Sequence, residues 1–433
     1  MADEGKSWWA TRAGRLVVLV CAAQVLVQLG AFFWPALLPG LSSRWSLTNS
    51  EAGWITSAFY GAYMFSVPVL VTLTDRFDPK RIYLIGVGAT VLGHASFALL
   101  ASDFWSAFGA RALAGFGWAG TYMTGLKLLA DEVDAKMMSR ATAGHAASIG
   151  FSGALSFLVA DLIASAAGWS WAFGMAAATA AIAWLMVLLG VPAKSAPAAK
   201  PADGGGLFNF IPVLRNRSAM AYAIGYCVHT LEMNALRGWG VAFLGYVAAS
   251  TGAAAGALSP TVVVTALGLV GTVASVMGNE AAIRVGRRHL IVLAMIASIV
   301  VGGSLGWLGT LSYWLAAGLI MLYGIVVWLD SSSLTAGAAG TADPSRRGAT
   351  LAVHSMLGYA GGFVGPLLVG VILDASGGMS RAGWTAAFLA IAGLMGLALV
   401  AFVLMRPAEL AGDRGPGAGP RPVSPGRRMT RQP

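Results

Sequence analysis

Ala167-Gly168-Trp169-Ser170-Trp171-Ala172-Phe173 is followed 215 residues later by Ala382-Gly383-Trp384-Thr385-Ala386-Ala387-Phe388, and the two agree at five of seven positions. Each opens a continuous apolar run, 171–191 and 382–405, and roughly 20 apolar residues are what a helix needs to cross the hydrocarbon core of a bilayer. Ten further runs share this character: 16–38, 53–74, 82–101, 105–130, 141–166, 218–248, 259–278, 289–308, 312–335 and 348–372. None alternates residue by residue as a barrel strand does, and a helix satisfies its own backbone hydrogen bonds in lipid. The expectation is an all-α integral membrane protein with twelve transmembrane helices. The first run is too long for a signal-peptide core and is expected to remain as the first span.

Composition points the same way. With 57% hydrophobic and 11% charged residues, the chain is matched to lipid rather than water. The 57 glycines, interspersed with alanines, suit close helix packing. Cys21 and Cys227 stand alone in distant spans, which gives neither a disulfide framework nor metal-ligand spacing. There is no phosphate-binding glycine loop and no nucleophile triad, so an enzyme, a cofactor and ATP-driven transport are not expected.

Lys and Arg are retained on the cytoplasmic side of membrane proteins. A cytoplasmic N-terminus puts 24 of the 28 basic residues in cytoplasmic segments, with Arg44 and Arg381 outside and Arg111 and Arg237 within helices. Both termini are therefore expected in the cytoplasm of a cell whose cytoplasmic (inner) membrane holds the protein. The net charge of +10 needs no nucleic acid to explain it.

The composition changes abruptly between the sixth and seventh runs, where Pro192, Lys194, Pro197, Lys200, Pro201 and Gly204-Gly205-Gly206 read as a linker. The expected organisation is a six-helix bundle over 1–190, a linker over 191–217, a second six-helix bundle over 218–405 and a disordered basic tail over 406–433. Two other pairs of segments support a repeat. Arg76-Phe77-Asp78-Pro79-Lys80-Arg81 follows the second run and Arg284-Val285-Gly286-Arg287-Arg288 the eighth. Arg140-Ala141-Thr142 leads to His145, and Arg347-Gly348-Ala349-Thr350 leads to His354.

With Leu73, Asp75, Arg76 and the basic Lys80-Arg81 end, the segment after the second run resembles the signature of the major facilitator superfamily of secondary transporters. Val71 and Asp78-Pro79 depart from its glycine positions. Arg111-Ala112-Leu113-Ala114-Gly115-Phe116-Gly117 is similar to a second signature of that family, while the helix 5 antiporter motif lacks its proline after Gly150-Phe151-Ser152-Gly153. The resemblance covers all twelve spans, and within the family it is nearest the bacterial nitrate, nitrite and cyanate permeases. It implies two pseudo-symmetric six-helix bundles and transport by alternating access. It also implies an inner latch in which Asp75 faces the N-terminus of helix 11 while Arg76 or Arg81 meets Asp131, Glu132 or Asp134, with Arg140 nearby.

Ionisable groups inside the membrane are costly and mark a substrate or ion route by default. On the seventh helix, Glu232 lies about 60° to one side of His229 and Arg237 about 80° to the other, so one broad face can hold all three. They read as a coupling carboxylate, a titratable neighbour and an anion anchor, or as a structural Glu232–Arg237 ion pair. Arg111 reads as an oxyanion site, which the resemblance places close to the central cavity, or as the partner of Asp161. Asp330, before Ser331-Ser332-Ser333, lines an exit path or pairs with Arg346. His145 and His354 line the cavity or are simply packed, and Trp239 stacks on Arg237 or on a ligand, or packs in the core. The function expected is secondary active, proton-coupled transport of a small anionic solute by a monomer in the lipid bilayer. Efflux of a metabolite or drug, or a non-transporting receptor or assembly factor of the same fold, are the alternatives.

Overall fold

In the computed structural model, residues 11–74, 76–130, 133, 135–193, 210–252 and 258–413 are described, of which 130, 135–137, 139 and 140 are described in backbone only. Among the described residues there is helix and no strand. Ten helices among the described residues are long and apolar enough to cross a membrane. They are Arg12–Arg44 (span 1), Asn49–Leu73 (span 2), Pro79–Leu100 (span 3), Ala141–Ala167 (span 5), Trp169–Gly190 (span 6), Pro260–Val285 (span 8), Arg287–Leu311 (span 9), Tyr313–Gly340 (span 10), Pro344–Ala375 (span 11) and Arg381–Met405 (span 12). The other two expected spans are helical as well. Span 4 is divided into Phe104–Ala119 and Tyr122–Ala130, and span 7 is the continuous helix Arg217–Thr251, which carries His229, Glu232, Asn234 and Arg237 in its middle.

The two halves repeat one packing plan. Span 2 packs on 4, 3 on 6 and 1 on 5 in the first half; span 8 packs on 10, 9 on 12 and 7 on 11 in the second. The halves meet where span 2 lies along span 11, span 5 along span 8, and span 1 against span 7. Small residues permit these approaches. A side chain at Gly115 would strike the Phe59 carbonyl, one at Gly361 the Cys227 carbonyl and one at Gly278 the Leu329 carbonyl, as expected where helices associate without a hydrophobic gradient between them. The repeated heptapeptides end in matching aromatic clusters. Trp169 packs edge-on to Trp45 at 5.5 Å and to Phe97 at 6.2 Å, while Trp384 does so to Phe243 at 5.2 Å and Trp239 at 6.1 Å.

Among the described residues, three spans are interrupted. Span 1 turns at 29–32, between Arg12–Gln28 and Phe33–Arg44; span 4 turns at Gly120-Thr121; span 10 turns at Asp330, between Tyr313–Leu329 and Ser331–Gly340. Spans 4 and 10 are counterparts in the repeat, so their breaks are too. Irregular backbone at membrane depth survives only where it is buried in protein or lines a cavity, which directs attention to these three places.

The segment after span 12, expected to be disordered from residue 406, is held as far as Asp413. Glu409 accepts the backbone N–H groups of Arg287 and Arg288, both at 3.0 Å, and Asp413 takes Arg287 in a two-point ion pair at 2.9 and 3.0 Å. Two carboxylates in a proline- and glycine-rich stretch found the N-terminus of span 9 and its arginine, which is enough to order eight residues.

Candidate functional site

The break in span 1 draws two arginines from opposite halves of the molecule to consecutive residues. Arg111 of span 4 donates from Nη1 to the Ala31 carbonyl at 3.0 Å and lies 4.5 Å over the Phe59 ring. Arg237 of span 7 is bracketed by Phe32 at 5.1 Å and Trp328 at 4.8 Å. The break itself is fastened by span 5, because Ser156 Oγ accepts the N–H of Phe32 at 3.0 Å and Ser152 donates to the Val25 carbonyl at 2.7 Å. Gly30 has His94 and Ala176 against it, so no side chain fits there. Tyr60 of span 2 packs edge-on to Phe59 at 5.6 Å.

Neither arginine has a carboxylate at ion-pair distance among the described residues. Arg111 is 2% exposed and its Nε has no hydrogen-bond partner, whereas Arg237 is partly accessible. Aromatic faces supply each with about 0.5–2 kcal/mol of cation–π attraction, well short of the several kcal/mol that an ion loses on leaving water. Two planar, five-donor groups thus reach consecutive residues of the span 1 break without a carboxylate beside them among the described residues.

These contacts exclude one of the alternative readings at each of three places. Arg111 does not face Asp161, whose Oδ2 accepts Thr261 Oγ1 of span 8 at 2.6 Å instead. Glu232 and Arg237 do not pair, because they point to different neighbours. Trp239 neither stacks on Arg237 nor faces an open cavity: its indole N–H is bonded to the Pro366 carbonyl at 2.8 Å, and it is 2% exposed. The aromatic partners of Arg237 are Phe32, in the span 1 break, and Trp328, two residues before the span 10 break.

A second polar cluster lies within the second half. Glu232 Oε1 accepts hydrogen bonds from Ser298 of span 9 and from Tyr323 of span 10, the latter at 2.5 Å, while Oε2 is buried without a partner. His229 Nδ1 approaches Asp330 Oδ1 to 2.9 Å in ion-pair range, but out of line for a hydrogen bond, so both atoms stay unbonded. Asp330 thus meets His229, not Arg346. Tyr226 stacks between His229, at 5.6 Å and 17°, and His354, at 4.1 Å and 19°. His354 Nε2 is 3.1 Å from Thr335 Oγ1 below the span 10 break. Spans 7, 9, 10 and 11 therefore gather two carboxylates and two imidazoles into one column.

His145 occupies the matching place in the first half. It is fully buried beside Tyr122 and Gly125 of the lower piece of span 4, with both ring nitrogens unbonded. Of the latch residues, Asp75, Asp131 and Asp134 and the Arg140 side chain lie outside the described residues, while Arg76 and Arg81 are exposed. Lys127 reaches across to the Thr74 carbonyl and hydroxyl, each at 3.0 Å. Sequence reasoning missed Phe32, Phe59, Tyr60, Ser298 and Tyr323. The one available signal was a lone polar or aromatic residue at the depth of a charged one.

The Major Facilitator Superfamily model matches residues 20–329 and again 238–433. The chain belongs to that superfamily. Human protein spinster homolog 1 is 24% identical over 244 residues, which is 54% of this chain and 46% of the human protein. The uncharacterized transporter YebQ of Escherichia coli is 25% identical over 190 residues, 44% of this chain and 41% of YebQ. The chain thus matches about half the length of these curated relatives or less. In fold it is similar to a bacterial homolog of the human lysosomal transporter Spinster, in an inward-facing and occupied conformation, with a TM-score of 0.74 at 13% identity over 93% of this chain and 98% of that one. The nucleoside transporter NupG gives 0.72 at 14%, over 90% and 99%. Family and fold make the chain a multi-pass membrane protein of the major facilitator superfamily.

Proposed function

We propose that this major facilitator is a proton-coupled carrier of a small anionic solute, working by alternating access between its two six-helix halves. The observation that carries the reading is the convergence of Arg111 and Arg237, one from each half, on Ala31 and Phe32, with no acidic partner among the described residues. A solute carboxylate or other oxyanion held between them would bridge the halves and could be released when they part. Such a site at the repeat interface, beside a broken helix, is where secondary transporters place their ligands.

The coupling group in this reading is Glu232. It is 1% exposed, already holds two hydroxyl donors on one oxygen and has the other free to carry a proton. His229, Asp330 and His354 supply titratable neighbours toward the face that bears the chain termini. The positive-inside distribution supports a cytoplasmic location for that face.

Thermal stabilisation of the purified protein by a panel of small organic and inorganic acids tests the reading, since a ligand that binds the folded state raises its apparent stability. An acid should raise the melting temperature of the parent but not of the Arg111→Gln, Arg237→Gln double variant. Stabilisation by neutral or cationic solutes alone would overturn the anionic assignment.

A further inference from the structure

Asp374 is the last residue but one of span 11, on the face opposite the ends of the described chain, and its carboxylate is spent on the other half of the molecule. Its Oδ1 accepts the backbone N–H of Asn49 at 3.0 Å and the Asn49 side-chain amide at 2.8 Å, and its Oδ2 accepts the N–H of Ser50 at 2.7 Å. Asn49 and Ser50 are the first two residues of span 2, whose own N-cap, Thr48, already serves the N–H of Glu51 at 3.1 Å. A helix begins with backbone N–H groups that have no partner within it and a partial positive charge. Asp374 satisfies two of them from across the gap between the halves.

The repeat supplies a counterpart. Asp161 stands near the same end of span 5, and its Oδ2 accepts the hydroxyl of Thr261, the second residue of span 8, at 2.6 Å. Spans 5 and 11 are equivalent in the repeat, as are spans 2 and 8. The offsets agree: Asp161 precedes Asp374 by 213 residues and Asn49 precedes Thr261 by 212. Both carboxylates leave their own half, and each seizes the start of the partner helix in the other.

Behind these contacts the paired helices stay close. A side chain at Gly53 would meet the Pro366 carbonyl at 2.8 Å and one at Gly268 the Ala154 methyl at 2.9 Å, and Tyr63 stacks on Tyr359 at 3.6 Å. Toward the termini face spans 2 and 11 part, leaving a cavity of about 420 Å³ walled by Val67, Val71, Leu351, Ala352 and Met356. One pair of helices is thus tied at one end and separated at the other.

We infer that Asp374 and Asp161 are twin clamps that hold the face opposite the termini closed and must release before it opens. The inference uses neither the identity of the solute nor proton coupling. Asp374, with three donors on one carboxylate, is the principal clamp; Asp161, with one, is the lesser.

Nitroxides on Ser102→Cys and Leu311→Cys, in a background with Cys21 and Cys227 replaced by serine, place one exposed reporter per half on that face. Their distance distribution is read by double electron–electron resonance in nanodiscs without added solute. Asp374→Ala should raise the ratio of the longer to the shorter population roughly tenfold, and Asp161→Ala less, because each removes contacts made only in the closed state. Asn49→Asp leaves Asp374 intact but sets a second carboxylate against it, so it must lengthen the distance too, and it carries the test if Asp374→Ala fails to fold. An unchanged distribution in the Asp374→Ala, Asp161→Ala double variant, or in Asn49→Asp, would reduce the clamps to static surface contacts and overturn the inference.

Discussion

Glu232 and Arg237 sit five residues apart on one helix and turn away from each other, the carboxylate toward Ser298 and Tyr323 and the guanidinium between Phe32 and Trp328. A structural ion pair would show as strong coupling in a double-mutant cycle, because removing one partner strands the other's buried charge. Here the stability losses of Glu232→Ala and Arg237→Ala should add to within about 0.5 kcal/mol. Melting curves of the two single variants and the double in detergent measure this. Recovery of stability in the double variant would mean that the two charges do meet.

If Arg237 anchors a solute through its planar fork while the two rings hold that plane in place, then charge alone is not enough. Arg237→Lys keeps the charge and loses both the fork and the stack, so it should weaken binding of a stabilising acid about tenfold while the protein still inserts and folds. Trp328→Ala should weaken it less, since the charge and fork remain. Equal affinity in Arg237→Lys and the parent, by titration calorimetry, would argue against an anchor at this position.

The architecture was open to sequence reasoning because hydrophobic length and an internal repeat are one-dimensional signals. Interior contacts were not. Glu232 and Arg237 are separated by about 140° around the helix, which looks like one broad face on a helical projection. It becomes two directions when span 7 has neighbours on every side. Trp239, only two residues from Arg237, points the opposite way, as residues two apart on a helix do. The stacking partner had to come from another span. The break at 29–32 has no proline within it to announce it, and it is sustained from outside by Ser156 and Arg111. The Asp374–Asn49 contact joins residues 325 apart and follows only from the packing of span 2 on span 11.

Burial separates two ion pairs that look alike in sequence. The Arg287 and Asp413 side chains are each 3% exposed, and Arg287 also donates to Asn279 at 2.9 Å; Arg284 and Glu280, an i,i+4 pair, are 71% and 58% exposed. Asp413→Ala leaves a buried guanidinium without its counter-ion and should cost about 3–5 kcal/mol. Glu280→Ala should cost no more than about 0.5 kcal/mol. A comparable fall in melting temperature for both variants would show that the segment 406–413 is not seated as described.

Glu232 offers the sharpest separation between transport and its coupling. If its free Oε2 takes up and gives back a proton in each cycle, a glutamine keeps the size and the acceptor for Tyr323 but can no longer change charge. Glu232→Gln should therefore abolish accumulation driven by a pH gradient, while labelled solute still exchanges across proteoliposomes at a rate within about threefold of the parent, since binding at Arg111 and Arg237 is untouched. Tyr323→Phe removes one donor to the carboxylate without removing the carboxylate, so it should move the pH dependence of accumulation and leave its maximum in place. Undiminished gradient-driven accumulation in Glu232→Gln would take this residue out of the coupling step and shift attention to His229 and Asp330, the other titratable pair of the same column.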